Sequence, residues 1–442
     1  MRRLFLILAV GLFVCAPLAR AQDDPDALYQ NGLNAFNAGR YAEAAQAFQQ
    51  LAATFGDESS MQQAMEAVYY ALGSTYFNLN NYPEAVTAFE EYLKRFPNAG
   101  LREEVTFRLG SAEFLQENYD KALAAFQQVM EQWPNSVFSE DAAFQAAMCL
   151  RQQEKTAELM PALEQFIGNY PNSELLPQAR LYLARGYFDA GKLLPALEQI
   201  EQLPATGRNM DHLVYANFLA IEIGDAAFDN TQYDLALRAY RRVRTKAALF
   251  RIQNRLVAER EEELKDLQRQ KVDPLQAAAH FRMQRRLQSS VSMAHDALER
   301  LEKIPDYDGG LFHRIGRCFF AIDRYWESLV AFTRVKEAAT DPAIIEAGRF
   351  DLILSLNRLR RFEDLVEESD RYLAEYGKEQ KYIDNGRVPT IAFMRAESFI
   401  NREMFEEAEP AMAQLLRDYP NHPNKARIEF LSRAVPCDVG TI

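Results

Sequence analysis

Residues 71–97 read ALGSTYFNLNNYPEAVTAFEEYLKRFP, and small residues and aromatics fall in them at fixed intervals. Gly73, Tyr76, Ala85, Phe89 and Pro97 sit at offsets of 0, 3, 12, 16 and 24. Gly110 starts the count again, with Phe114, Ala122, Phe126 and Pro134. Pro97, Pro134 and Pro171 are 37 residues apart, and each follows an aromatic in RFPN, QWPN or NYPN. Self-similarity at one period between 20 and 50 residues is the mark of a solenoid. Apolar residues recur at steps of three and four without strand-like alternation, so each period holds two amphipathic helices.

Each slot has a physical reading. Gly73, Gly110, Ala85 and Ala122 are small because two helices of one hairpin cross closely there. Phe89 and Phe126 are expected to fill the groove between one hairpin and the next. Proline ends the second helix, because it cannot continue one and biases its predecessor away from helical backbone. The Asn and Ser after it are expected to cap the following helix.

The count extends along the chain. Copy one has Gly32, Ala44, Phe48 and Leu51; copy four has Ala147, Leu159, Leu163 and Pro171. Copy five has Tyr187, Ala196, Ile200 and Leu203, and copy six Gly224, Ala236, Tyr240 and Val243. Copy seven has Gly316, Phe319, Phe332 and Val335. LSLNRLRRFEDLVEESDRYL is a weak eighth copy, and Phe399, Ala408, Met412, Leu415 and Pro420 make a ninth. NKARIEFLSRAV reads as a capping helix after it.

These intervals resemble the tetratricopeptide repeat, a helix-turn-helix module of about 34 residues. The resemblance implies an all-α solenoid of helical hairpins wound as a right-handed superhelix. The longer period and the recurring YPNS or FPN make residues 26–204 similar to periplasmic repeat proteins of the cell envelope. Two families are resembled: the D-type lipoprotein of outer-membrane β-barrel assembly, and the Tol–Pal-associated, TolA-binding coordinator. That likeness implies an envelope scaffold.

Composition bounds the rest. The chain has 442 residues, 48% hydrophobic and 26% charged, which is a folded chain of several domains or one long array. A net charge of −13 repels a phosphate backbone, so nucleic acid is not the expected partner. Arg2 and Arg3 precede the apolar run Leu4–Val14, Pro17 and Ala19-Arg20-Ala21. That order reads as a secretory signal peptide cleaved after Ala21, with residues 1–21 removed and a periplasmic or secreted product. Eleven apolar residues are too few to span a bilayer, which takes about 20. The alternative is an outer-membrane lipoprotein anchored through Cys15.

The remaining cysteines, Cys149, Cys318 and Cys437, are odd in number and widely scattered. Disulfide-stapled scaffolds are small and Cys-dense, so Cys149 and Cys318 are expected as small buried residues, with a pairing to Cys437 left open.

Residues 22–243 form the expected N-terminal array of about six repeats. Residues 307–434 form a C-terminal array of about three repeats plus the cap, and 435–442 a tail. Between them, residues 244–306 break the period and read as two long helices around Asp273-Pro274. Leu287, Val291, Ala294, Leu298 and Leu301 make a heptad-like seam in the second. From Arg238 to Arg286 there are 14 Lys and Arg against 6 Asp and Glu, so this stretch carries +8 and the remainder −21. It is a docking strip for an anionic partner, or a solvated face that pairs with the acidic repeats.

None of the five histidines lies at metal-ligand spacing to another His or a Cys, and no GxSxG, HExxH or P-loop occurs. No catalysis, cofactor, metal or small-molecule substrate is expected. Function is expected on the first helix of each hairpin, which lines the groove of such arrays. Residues three before and four after the small slot should face it. These are Tyr29, Phe36, Tyr70, Phe77, Phe107, Phe114, Phe144, Phe188, Phe228, Phe320, Phe350 and Phe393. A groove lined this way suits a peptide with apolar anchors; the alternative is that the rings pack between helices. Clamping of a C-terminal carboxylate is not expected, because Tyr and Phe stand where Lys, Asn and Arg would. The reading is a non-enzymatic periplasmic adaptor for protein or peptide partners of the cell envelope, with outer-membrane association open. A factor in outer-membrane protein assembly and a subunit of a peptidoglycan-processing complex are the alternatives.

Overall fold

One turn, repeated nine times among the described residues, decides how the helices pair. A computed structural model describes residues 24–204, 212–270 and 277–434. The expected leader, Cys15, Asp273-Pro274, Cys437 and the tail lie outside the described residues. The chain divides into two compact units, one through Ser173 and one from Glu174.

The first unit holds four helical hairpins. They are α1 (Pro25–Asn37) with α2 (Tyr41–Phe55), α3 (Gln62–Asn78) with α4 (Tyr82–Arg95), α5 (Arg102–Leu115) with α6 (Tyr119–Gln132), and α7 (Ser139–Gln152) with α8 (Thr156–Asn169). The second helix of each packs on the first helix of the next.

In the second unit α9 (Leu176–Asp189) pairs with α10 (Leu193–Glu201), and α11 (Leu213–Asp229) with α12 (Tyr233–Arg242). A long hairpin follows, α13 (Lys246–Arg269) and α14 (Ala277–Lys303). The short hairpins then resume: α15 (Asp308–Ala321) with α16 (Tyr325–Ala338), and α17 (Pro342–Arg358) with α18 (Phe362–Tyr376). After the short α19 (Gln380–Asp384) come α20 (Arg387–Asn401) with α21 (Phe405–Asp418), then α22 (Lys425–Ala434). Since α12 packs on α15, the stack continues across the long hairpin.

Every short hairpin turns on one residue with left-handed backbone: Gly39, Asn80, Glu117, Glu154, Gly191, Thr231, Asp323, Arg360 and Glu403. In the second hairpin the Asn80 amide donates to the Phe77 carbonyl at 3.1 Å, and the Asn81 amide to that of Tyr76 at 2.9 Å. This pair of bonds closes the C-terminus of the first helix. The Asn81 carbonyl then accepts from the Ala85 amide at 3.1 Å and opens the second. One residue ends one helix and starts the next, which keeps the turn short. Seven of these nine positions carry a Cβ, against a steric cost of roughly 1–2 kcal/mol for left-handed backbone. Thr231 is β-branched as well, at φ 61°. Thr231→Gly should therefore stabilise the second unit by about 1 kcal/mol. Thermal melting checks this; an unchanged or lower midpoint would show that the turn carries no strain.

Seven residues before each turn residue is the small slot, and sixteen residues further on is its partner. A Cβ added to Gly32, Gly73, Gly110, Gly224 or Gly316 would lie 2.4–2.9 Å from the ring of Phe48, Phe89, Phe126, Tyr240 or Phe332. The ring thus lies on the glycine of its own hairpin, which corrects the expectation that Phe89 and Phe126 fill the groove between hairpins. Where Ala replaces Gly, at Ala147, Ala184 and Ala396, the partner shrinks to Leu163, Ile200 and Met412. In the weak eighth copy the sizes invert, with Ile353 and Ser369 both buried. Pair volume is conserved while its halves trade places, as close packing demands.

The prolines stop helices as expected: α4, α6, α8 and α21 each end two residues before Pro97, Pro134, Pro171 or Pro420. The capping expectation fails. The N-caps of α5, α7 and α9 are Leu101, Phe138 and Leu175, none with a side-chain cap bond. These helices begin five residues past the proline, beyond reach of the Asn and Ser. Acidic residues in the first turn, Glu103 and Glu104 in α5 and Glu140 and Asp141 in α7, complement the exposed amides instead.

Candidate partner-binding surface

The twelve rings divide by register. Those four after the slot sit at the end of the first helix. Five of them meet a tyrosine five residues on, across the turn: Phe36–Tyr41, Phe77–Tyr82, Phe114–Tyr119, Phe228–Tyr233 and Phe320–Tyr325. These pairs stand edge to face, with centroids 5.2–5.5 Å apart. The Phe-x4-Tyr spacing was readable in the sequence and marks a seal over the turn. Phe188 lacks the tyrosine and instead carries the Arg185 guanidinium at 5.3 Å.

The rings three before the slot lean on other aromatics. Tyr29 meets Phe48 at 5.9 Å, Phe107 meets Phe126 and Phe138 at 5.6 and 5.4 Å, and Phe144 meets Phe166 at 5.5 Å. Phe350 lies beside Tyr372, and Phe393 beside His422. Tyr70 donates from its hydroxyl to Glu104 at 2.7 Å, under the Arg108 guanidinium. Burial raises the Tyr70 pKa to about 12. Phe77, Phe144 and Phe393 are 3%, 4% and 6% exposed, which corrects their placement on an open groove. The other nine are half-buried, with part of the ring engaged in packing.

The first-helix face of the second unit opens into a cleft of about 410 Å³ where α11 and α12 meet α15 and α17. Its base is an ionic network. Arg314 makes two hydrogen bonds to Asp225, at 2.7 and 3.1 Å, and the Tyr240 hydroxyl donates to the same carboxylate at 2.6 Å. One wall holds His313, whose Nε2 lies 2.8 Å from Asp351. At the mouth, the Arg317 guanidinium lies over Phe228, 4.4 Å from the ring centroid. Arg317 and Asp229 are exposed in one cleft, and neither has an ion pair among the described residues. A guanidinium over a ring can still direct its N–H groups to an acceptor, and Asp229 offers the complementary carboxylate. Sequence reasoning found Phe228 but missed these charges, because the cleft joins helices separated by the long hairpin.

That hairpin is clamped at its root. Asn217, on α11, accepts from the Arg244 amide at 2.6 Å and donates to the Tyr307 hydroxyl at 3.1 Å. Tyr307 donates onward to the Arg244 carbonyl at 2.6 Å, and the Lys246 amide to Asp308 at 2.8 Å. Entry and exit of the hairpin are thereby held together. Its heptad-like seam buries Ala294, Leu301 and also Ala297, while Leu287, Val291 and Leu298 stay half-buried. Within the basic stretch, Arg238 pairs with Glu201, Arg255 with Glu259, Arg260 with Glu263 and Arg269 with Asp266.

Cys149 and Cys318 are free and buried, and burial raises both thiols to about 12, so neither is poised as a nucleophile. Among the described residues no three His, Cys, Asp or Glu are grouped to hold a metal. No described helix is long and apolar enough to cross a membrane.

Tetratricopeptide-repeat family models match residues 26–57, 70–137, 141–173 and 392–422, which are the first four hairpins and the ninth. No curated protein matches the chain. Among solved structures, MamA residues 41 to the end, from Desulfovibrio magneticus RS-1, is 20% identical, covering 41% of this chain and 94% of its own, with a TM-score of 0.34. MamA of AMB-1 is 19% identical over 40% of this chain and 88% of its own, with a TM-score of 0.33. A putative kinesin light chain of Podosopora anserina with nearly identical TPR-like repeats is 18% identical. It covers 41% of this chain and 94% of its own, with a TM-score of 0.34.

Proposed function

We propose that this chain of tetratricopeptide-type hairpins is a non-enzymatic adaptor that binds segments of partner proteins on its first-helix face. The observation that carries the reading is the α11–α15 cleft, where Arg317 and Asp229 stand exposed beside half-buried rings. A partner segment would set an acceptor on the Arg317 fork and a donor on Asp229, with half-buried rings as apolar neighbours. The Arg2-Arg3 leader and Ala19-Arg20-Ala21 support work in the cell envelope, in the periplasm, as a scaffold of the kind the sequence resembles. A mature N-terminus at Gln22, read by mass spectrometry, is the expected result; a lipid-modified Cys15 would move the protein to a membrane anchor.

Photo-crosslinking tests the face. A crosslinker at position 229 or 317 should capture a protein in cells, and one at Glu337, exposed on α16, should not. The single substitution Arg317→Glu should reduce capture from position 229 at least tenfold. Equal capture from 337, or none from 229 and 317, would overturn the assignment.

A further inference from the structure

The long hairpin has two halves of different character. Every buried residue of α13 lies between Leu249 and Val257. In α14 the buried residues among those described, Ala294, Ala297 and Leu301, all lie near the root. This half meets the repeats: the Gln178 amide donates to the Met293 sulfur at 3.9 Å, and Arg300 lies over the Tyr215 ring at 5.2 Å. A buried Gln253 donates to the Ala294 carbonyl at 2.8 Å and locks the two helices together.

Beyond Val257 and before Met293, no described residue is buried. The eleven α13 residues from 259 to 269 alone rise roughly 16 Å. This arm still carries apolar residues at helical steps, Leu264, Leu267 and Leu287 half-exposed and Met283 52% exposed. Two helices alone leave such a seam half in water, and a four-helix arrangement closes it.

The two edges of the arm differ in charge. From Glu259 to Arg269 there are five acidic residues and three basic ones, whereas α14 has no acidic residue before Asp296 and includes Arg286. Several acids of α13 are held by exposed pairs within the helix, such as Glu259 with Arg255 and Asp266 with Arg269. Pairs of this kind are worth little and exchange readily.

We infer that the outer half of this hairpin is a self-association element that pairs with the same element of a second copy. In a two-fold arrangement the acidic edge of one arm meets the basic edge of the other twice, and the two apolar seams close on each other. The occupant is the same chain because one arm carries both an acidic stretch and a basic one.

Sedimentation equilibrium of the full chain tests it. Expected is a mass twice the 50.6 kDa of one chain at about 20 μM and low salt, falling towards one as ionic strength rises. Met283→Glu with Leu287→Glu should weaken the dimer at least tenfold. Both residues lie on the outer half, away from Met293 and Arg300 where α14 meets the repeats, so the helical circular dichroism should be unchanged. A chain of single mass at low salt, a dimer that survives both substitutions, or one insensitive to salt would each overturn the inference.

Discussion

Arg387→Met is expected to destabilise the second unit by about 3 kcal/mol or more, because it strands a buried carboxylate. Glu346, on α17, is 1% exposed and accepts from the Arg387 guanidinium and the Tyr372 hydroxyl. Arg387 opens α20 and lies over Phe350 at 5.2 Å, so the interaction ties the eighth hairpin to the ninth. Hairpin two has the same tyrosine and acid, Tyr92 and Glu66 at 3.0 Å, in the same register. There Glu66 is half-buried and reaches water. Water can replace an arginine beside Glu66 but not beside Glu346. Adding Glu346→Gln to Arg387→Met should recover most of the loss, since a neutral amide still accepts from Tyr372. Urea unfolding of the two variants checks the sign and the recovery. A single variant within 0.5 kcal/mol of the parent would show that the carboxylate is not held as a buried charge.

The period in the sequence pointed to an all-α stack of helical hairpins, because Gly73 with Phe89 and the aromatic before each proline report packing within one module. Local chemistry misled where two signals overlapped. Phe77 sits four after its slot, where a groove residue would stand, and also five before Tyr82, where a turn seal stands. Ring periodicity alone cannot separate these roles, whereas the tyrosine spacing does. The Asn and Ser after each proline looked like caps because their type fits, yet the helix starts too far downstream for them to reach. The cleft was illegible for a different reason. Asp225 and Arg314 are 89 residues apart, and nothing in sequence spacing says that α12 stacks on α15 past the long hairpin.

Acid should loosen the second unit through His212, which sits at the start of α11 and is 4% exposed. Burial pushes its imidazole down to about 4, partly offset by a hydrogen bond to the Pro204 backbone. The unfolded chain takes up that proton near pH 6.5 and the folded chain near 4, so below 6.5 the unfolded state binds more protons. Stability present above pH 6.5 is therefore lost as the pH falls towards 4, at about 1.4 kcal/mol per unit and about 3 kcal/mol in total. His212→Gln removes the titration while keeping a polar group for Pro204. The parent should lose about 3 kcal/mol more than this variant between pH 7 and pH 4, measured by urea unfolding at each pH. Taking the difference cancels the carboxylates that titrate in the same window, because both chains share them. If parent and variant fell together, the imidazole would have to be hydrated in the folded state, and α11 would start from an open rather than a buried end.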